Sequence, residues 1–379
     1  MPRIKVTLVF GIRPEAIKMY PLVRELKSRP EKFETVVCAT GQHREMLDQV
    51  LQVLGVTPDY DLHVMKPGQT LFDITSDVLL KIRAVLEDER PDCVLVHGDT
   101  PPPSPPRWRR STCRSRWGTS RSACARDLYS PWPEEFNCQA VDVISNWYFA
   151  PTETSRQSLL DEAKPAERVF VTGNTGIDAL RHTVREDYSH LDLEWAEGSR
   201  LILVTAHRRE NLGEPMHRMF RAVRRVMEER PDTKAIYPIH MNPLVRRAAH
   251  EELDGFDRLR IIDPLEVVDF HNFMARSYLI LTDSGGIQEE APPLGKPVLV
   301  MRDTTERPEG VEAGTLRLVG TEEETIYREL SRLLDDPGEY AAMSHASNPY
   351  GDGHASERVA DALKSGFYHN HGSLWLRHN

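Results

Sequence analysis

Short apolar runs alternate with amphipathic stretches along most of this chain, and that alternation limits the folds open to it. IKVTLVFG (Ile4–Gly11), FETVVCAT (Phe33–Thr40) and the core of PDCVLVHGDT (Cys93–Val96) recur early; RLILVT, AIYPIH, RLRIIDP, YLILT and PVLVM recur late. Runs of this length read as buried strands. Between the early ones, Arg13-Pro14-Glu15 opens a helix carrying Ile17, Met19, Leu22 and Leu26, and further helices are expected near residues 43–54 and 71–86. Proline is at home in a first helical turn. Strand–helix alternation predicts parallel βαβ units with right-handed crossovers, whose ligands bind beyond the C-terminal strand ends. That rule places Arg13, Gln42 and Asp99 on one rim.

At 379 residues the chain exceeds one typical core, so an α/β protein of two Rossmann-like, doubly wound domains is expected, with the site in the cleft between them. The boundaries read as an N-terminal domain over 1–178, a polar linker over 179–199 and a C-terminal domain over 200–366 whose last helix could cross back. Residues 367–379 lack periodicity and are expected to be a frayed tail. A net charge of −10, from 58 acids against 48 bases, gives no reason to expect nucleic-acid binding. No apolar run approaches the roughly 20 residues of a membrane span, and the first strand begins without a signal-peptide stretch. The five cysteines form no metal-binding or CxxC spacing, so a reduced, cytoplasmic protein without a metal is expected. Neither GxGxxG nor a Walker loop occurs, which argues against NAD and ATP; no cofactor is expected.

The densest chemical signal is TDSGGIQEE, Thr282–Glu290. A strand runs into Asp283-Ser284-Gly285-Gly286, and IQEE opens a helix. Glycines let backbone approach a ligand, and N–H groups at a helix start attract anions. Ser284, Gly285 and Gly286 would hold a diphosphate, with Glu290 accepting from neighbouring hydroxyls. An ordinary strand-to-helix turn with solvated acids would carry the same letters.

One segment breaks the pattern. Residues 101–126, PPPSPPRWRRSTCRSRWGTSRSACAR, hold seven arginines and five prolines but no Asp, Glu, Leu, Ile, Val or Met, where a βαβ chain needs a helix and a buried strand. An inserted basic, disordered loop is one account. A reading frame that slips and recovers is the favoured one. Reading each codon's third base with the next codon's first two permits TTTFAAALAAFYLQIPVGHVEVGLRT. Trp117–Gly118 must then yield glycine, and Arg116–Trp117 only Val, Leu or Met; the glutamate that would replace Arg121 is allowed but not forced.

HGDT, DLYSPWPEE, FAPTETSRQSLL, VTGNTGIDAL, VTAHRREN, ILTDSGGIQEEAP, GKPVLVMRDTTERPEG and NPYGDG, with FGIRPEAIKMYPLV and GQHREMLDQVL, together resemble the non-hydrolysing UDP-N-acetylglucosamine 2-epimerases over nearly the whole chain. The resemblance implies a glycosyltransferase-B-like fold, a homodimer, and interconversion of UDP-N-acetylglucosamine and UDP-N-acetylmannosamine. The implied route eliminates UDP to a 2-acetamidoglucal and adds it back. By match to the family, Asp99 and Glu134 are the acid/base carboxylates and His207 serves the leaving phosphate. Arg13, Lys18 and Arg307 supply positive charge, Ser284, Gly285 and Gly286 hold the diphosphate, Glu290 the ribose, and Phe270 packs near uracil. Arg121 stands where a further catalytic carboxylate, a glutamate, is expected, and Leu265 where some members carry glutamine. Arg208 and Arg209 read as solvated surface. Gln42 and His240 are compatible with a second, activating UDP-sugar site. A UDP-sugar glycosyltransferase, or a UDP-binding but inactive protein if residues 101–126 are genuine, are the alternatives.

Overall fold

The computed structural model describes residues 2–41, 44–66, 68–97, 116–120 and 141–374. It divides into two compact units, Met1–Ala179 with Gly351–Asn379, and Leu180–Tyr350.

The first unit is built on seven strands: β1 (Ile4–Phe10), β2 (Phe33–Ala39), β3 (Tyr60–Asp61), β4 (Cys93–His97), β5 (Arg116–Ser120), β6 (Trp147–Ala150) and β7 (Val169–Val171). They form one sheet in the order β3-β2-β1-β4-β5-β6-β7, every pair parallel. Strand β1 is mostly apolar because both its faces are covered: Val6, Leu8, Val9 and Phe10 are all buried. Helix α1 (Arg13–Lys27) follows it directly, its entry closed by Glu15, whose carboxylate accepts from the N–H groups of Gly11 at 2.7 Å and Ile12 at 3.3 Å. Helices α2 (Arg44–Val53) and α3 (Leu71–Glu89) agree with the expected spans within a few residues. The two-residue edge strand β3 gave no readable pattern. Strand β5 lies inside the anomalous segment, yet the sheet gives it an interior position between β4 and β6, with Leu95 opposite Gly118. Its residues, RWGTS, are not those of a strand covered on both faces.

The second unit carries β8 (Arg200–Thr205), β9 (Thr233–Pro238), β10 (Leu259–Ile262), β11 (Leu279–Thr282), β12 (Val298–Val300) and β13 (Leu316–Leu318) in the order β10-β9-β8-β11-β12-β13, again all parallel. Both sheets follow the doubly wound Rossmann order, as expected. The residues of β11 are completely or almost completely buried, and helix Glu214–Glu229 lays Met216, Met219, Phe220, Val223, Val226 and Met227 on the sheet.

Two stretches differ from the sequence reading. The expected linker holds a helix, Thr175–Thr183, and a short one, Leu191–Ala196. Its polar groups are consumed locally: the Arg276 guanidinium donates to the carbonyls of Arg185, Glu186 and Tyr188 at 2.8, 3.2 and 3.1 Å, and Tyr188 donates to Asp269 at 2.6 Å. The backbone there is held by a residue remote in sequence, while Arg185, Glu186 and Asp187 stay exposed. The expected tail is helical as far as Leu374, in the helix Ala355–Leu374. Phe367 is 6% exposed, and a Cβ on Gly366 would stand 2.8 Å from Trp147 Nε1, so the glycine that weakens the periodicity permits the close approach.

Candidate active site

In a doubly wound sheet the crevice opens where the strand order reverses, which in the second unit lies between β8 and β11. The residues leaving those two strands, Ala206–Asn211 and Asp283–Glu290, meet there. Asp283 is wholly buried at the end of β11 and organises the neighbouring loop. Its Oδ2 accepts from the backbone N–H of His207 at 2.9 Å, that of Arg208 at 2.8 Å and the side-chain amide of Asn211 at 3.2 Å. Its Oδ1 has no hydrogen bond among the described residues and stands 3.3 Å from His207 Nδ1. Asn211 also donates to the carbonyl of Met301, tying the loop to the end of β12.

The His207 ring keeps 38% of its side chain exposed and stacks on His240, centroids 5.6 Å apart. Desolvation is the largest influence on it and pulls its pKa below the ordinary value; Asp283 opposes this, and His240 and Arg208 add to the depression. The imidazole is therefore neutral at pH 7 and able to take up a proton when an anion arrives.

The turn Ser284-Gly285 runs into a short helix, Gly285–Glu290, whose cap residue Ser284 makes no side-chain capping bond. Two guanidinium groups flank its start: a Cβ on Gly285 would lie 3.4 Å from Arg208 Nη2 and 3.5 Å from Arg307 Cζ. Arg307, 13% exposed, is held by Glu289 Oε1, which accepts from its Nε at 2.9 Å. Burial works against that guanidinium's charge, but Glu289 and Glu306 outweigh it. Glu306 in turn takes a bidentate pair from Arg302 at 2.8 and 2.9 Å, which holds its carboxyl well down, to about 2. Arg208 donates from Nε to the Asp283 carbonyl at 3.3 Å, and among the described residues no carboxylate lies within 4.0 Å of its guanidinium. The turn thus presents two guanidinium groups to an oxyanion.

Of the residues singled out in the sequence, His207, Ser284, Gly285, Gly286 and Arg307 are brought together here. Glu290 closes the same short helix, and Phe270 sits one residue before His271, whose Nε2 is 3.6 Å from Glu290 Oε2. Phe270 and Leu265 are both partly buried against one apolar cluster of this unit. Arg13 and Lys18 occupy the start and second turn of α1 in the first unit. Asp99, Glu134, Arg121 and Gln42 lie outside the described residues. Sequence reasoning missed three contributors. Arg208, read as solvated surface, is turned onto Gly285. Glu289, read as a solvated acid in the bland account, is 2% exposed and clamps Arg307. Asp283 was legible only through its place at a strand end. None of these roles is local: the Arg208–Asp283 pair spans 75 positions.

A doubly wound unit with an arginine-lined Ser-Gly-Gly turn and a histidine at its switch point belongs to the class of Rossmann-like α/β proteins that take ligands at the C-terminal strand ends. The comparisons narrow the class. The family model for UDP-N-acetylglucosamine 2-epimerase matches residues 24–102 and 122–364. The UDP-N-acetylglucosamine 2-epimerase of Bacillus subtilis (strain 168) is 54% identical over 364 residues, covering 96% of each chain. Among solved structures, the S. aureus MnaA–UDP co-structure has a TM-score of 0.84 at 47% identity, covering 97% of each chain. The Neisseria meningitidis UDP-GlcNAc 2-epimerase bound to UDP-GlcNAc has a TM-score of 0.84 at 44% identity, covering 95% of this chain and 99% of that one. The chain belongs to the UDP-N-acetylglucosamine 2-epimerase family.

Proposed function

We propose that the chain interconverts UDP-N-acetylglucosamine and UDP-N-acetylmannosamine by inverting C2 of the sugar. A carboxylate removes the C2 proton, the C1–O bond to UDP breaks, and the electron pair left at C2 forms the C1=C2 bond of a 2-acetamidoglucal. UDP then adds back at C1 while a proton reaches the opposite face of C2. A weakly acidic proton requires a carboxylate held against it with water excluded. Asp99 and Glu134 fill that role by their place in the family motifs. The departing diphosphate needs cations and donors, and the arrangement of Arg208, Arg307 and His207 about Gly285 is the observation that carries this reading. Arg13 and Lys18 add charge, Glu290 accepts from the ribose hydroxyls, and Phe270 lies beside the base. A cytoplasmic homodimer is the expected form. The test is exchange at C2: incubation with UDP-N-acetylglucosamine in deuterated water leaves deuterium at C2 of the recovered sugar nucleotides. Sugar nucleotides that come back epimerised but unlabelled would overturn the mechanism.

The depressed His207 pKa gives a second measurement. A diphosphate beside the ring favours the imidazolium, so binding pulls that pKa upward and draws in a proton between the depressed value and about 6.5, its unperturbed one. Calorimetry of UDP binding near pH 6.5, in buffers of different ionisation enthalpy, shows more proton uptake by the wild type than by His207→Gln, by a fraction of a proton per UDP. Equal uptake by both removes His207 from the phosphate.

A further inference from the structure

Glu290 has one basic side chain within ion-pair distance among the described residues, the deeply buried His271, whose Nε2 stands 3.6 Å from Glu290 Oε2. The carboxylate side chain is 15% exposed and the histidine 2%. The other ring nitrogen, Nδ1, is 2.7 Å from the hydroxyl of Thr183, itself 1% exposed. The next residue fastens the same turn: Asn272 donates to the Thr183 carbonyl at 2.8 Å and accepts from the Arg185 N–H at 3.0 Å. The ring plane is therefore fixed from one side by a buried hydroxyl, with its opposite edge turned to the carboxylate. A histidine filling space in the core would account for the Thr183 contact. It does not account for the edge presented to a partly exposed acid at the rim of the site. A carboxylate on a flexible side chain that must meet two hydroxyls at once gains most from being held in one rotamer beforehand.

We propose that His271, held by Thr183, is a positioning residue for Glu290: it engages Oε2 from behind and leaves the rest of the carboxylate to meet the vicinal diol of the nucleotide ribose. The role rests on the reading of Glu290 as the ribose contact. It makes His271 part of how the site tells a ribonucleotide from one lacking those hydroxyls, through a residue that touches no ligand.

The test compares UDP with 2′,3′-dideoxy-UDP by titration calorimetry on the full chain. His271→Phe keeps a ring of similar bulk in the core and removes both nitrogens. It weakens UDP roughly 10-fold, the order expected when a residue that orients a ligand-contacting group is lost, and leaves the dideoxy compound within about 2-fold of wild type, the size of effect expected of a substitution without a direct contact. His271→Gln, which keeps a donor, recovers part of the loss, and Thr183→Val reproduces it in smaller measure. Equal weakening of both ligands, or none, overturns the positioning role. Glu290→Gln is measured alongside: if it fails to discriminate the two nucleotides, the ribose reading falls and His271 falls with it. If Glu290→Gln discriminates and His271→Phe does not, the positioning role alone is lost. Should His271→Phe not fold, His271→Gln and Thr183→Val carry the same comparison.

Discussion

Replacing residues 101–126 by the shifted reading raises epimerase turnover by roughly 10²–10⁴-fold, the range that a positioned acid or base supplies. Three observations meet at this expectation. Strand β5 occupies an interior position in a fully parallel sheet, a place that apolar runs usually take, but its sequence is RWGTS. The shifted reading puts Pro-Val-Gly-His-Val across positions 116–120, with glycine at 118 in either frame. It then permits a glutamate at 121, the first position past the strand, where parallel sheets carry their chemistry. The family model passes over residues 103–121 and resumes at 122. Turnover is followed by chromatographic separation of the two UDP-sugars. UDP affinity changes by no more than a few-fold, because the arginine-lined turn belongs wholly to the second unit. Equal turnover in both forms, or a gene sequence that reads cleanly in the present frame, overturns the proposal. The deuterium experiment is accordingly run on both forms.

Arg307→Leu produces the second large effect, and on two measurements at once. Arg307 and Glu289 are 13% and 2% exposed, and the pair closes at 2.9 Å. Removing the cation takes away the charge partner of a buried carboxylate, which costs about 3–5 kcal/mol. Urea unfolding reports that loss as a lower midpoint. UDP affinity falls as well, since one of the two guanidinium groups beside Gly285 is gone. Glu289→Gln separates the two effects: it costs less stability, because an amide can still accept from the guanidinium, and it leaves the Arg307 charge in the site. A variant Arg307→Leu that unfolds like the wild type would show the pair to be solvated in practice. One that is destabilised but binds UDP normally would remove Arg307 from the phosphate.

The fold was largely readable because its cause is local. A strand covered on both faces is largely apolar, so β1, β2, β4, β8 and β11 announce themselves as runs such as IKVTLVF and LILT. The helices between them carry their own periodicity, and alternation then dictates parallel order. The expectations failed where the cause was remote. The polar stretch before Arg200 read as a linker because nothing in it foretells Arg276 collecting three of its carbonyls. Residues 367–379 read as a tail because they lack periodicity, yet the helix runs on to Leu374 past Gly366, which lies against Trp147 more than two hundred positions away.

The same division runs through the site. By itself the sequence determined the family, through motifs whose order and spacing need no third dimension, and it determined that TDSGGIQEE opens a helix with two glycines at its mouth. It also singled out residues 101–126 as a break in composition. Only the tertiary structure decided which charges are buried and which way they face: Arg208 turned onto Gly285, Glu289 closed on Arg307, His271 set behind Glu290. Those assignments depend on desolvation and on pairs 18 to 88 positions apart. A charged residue's letter is the same in water and in a core, and only packing supplies the difference in energy.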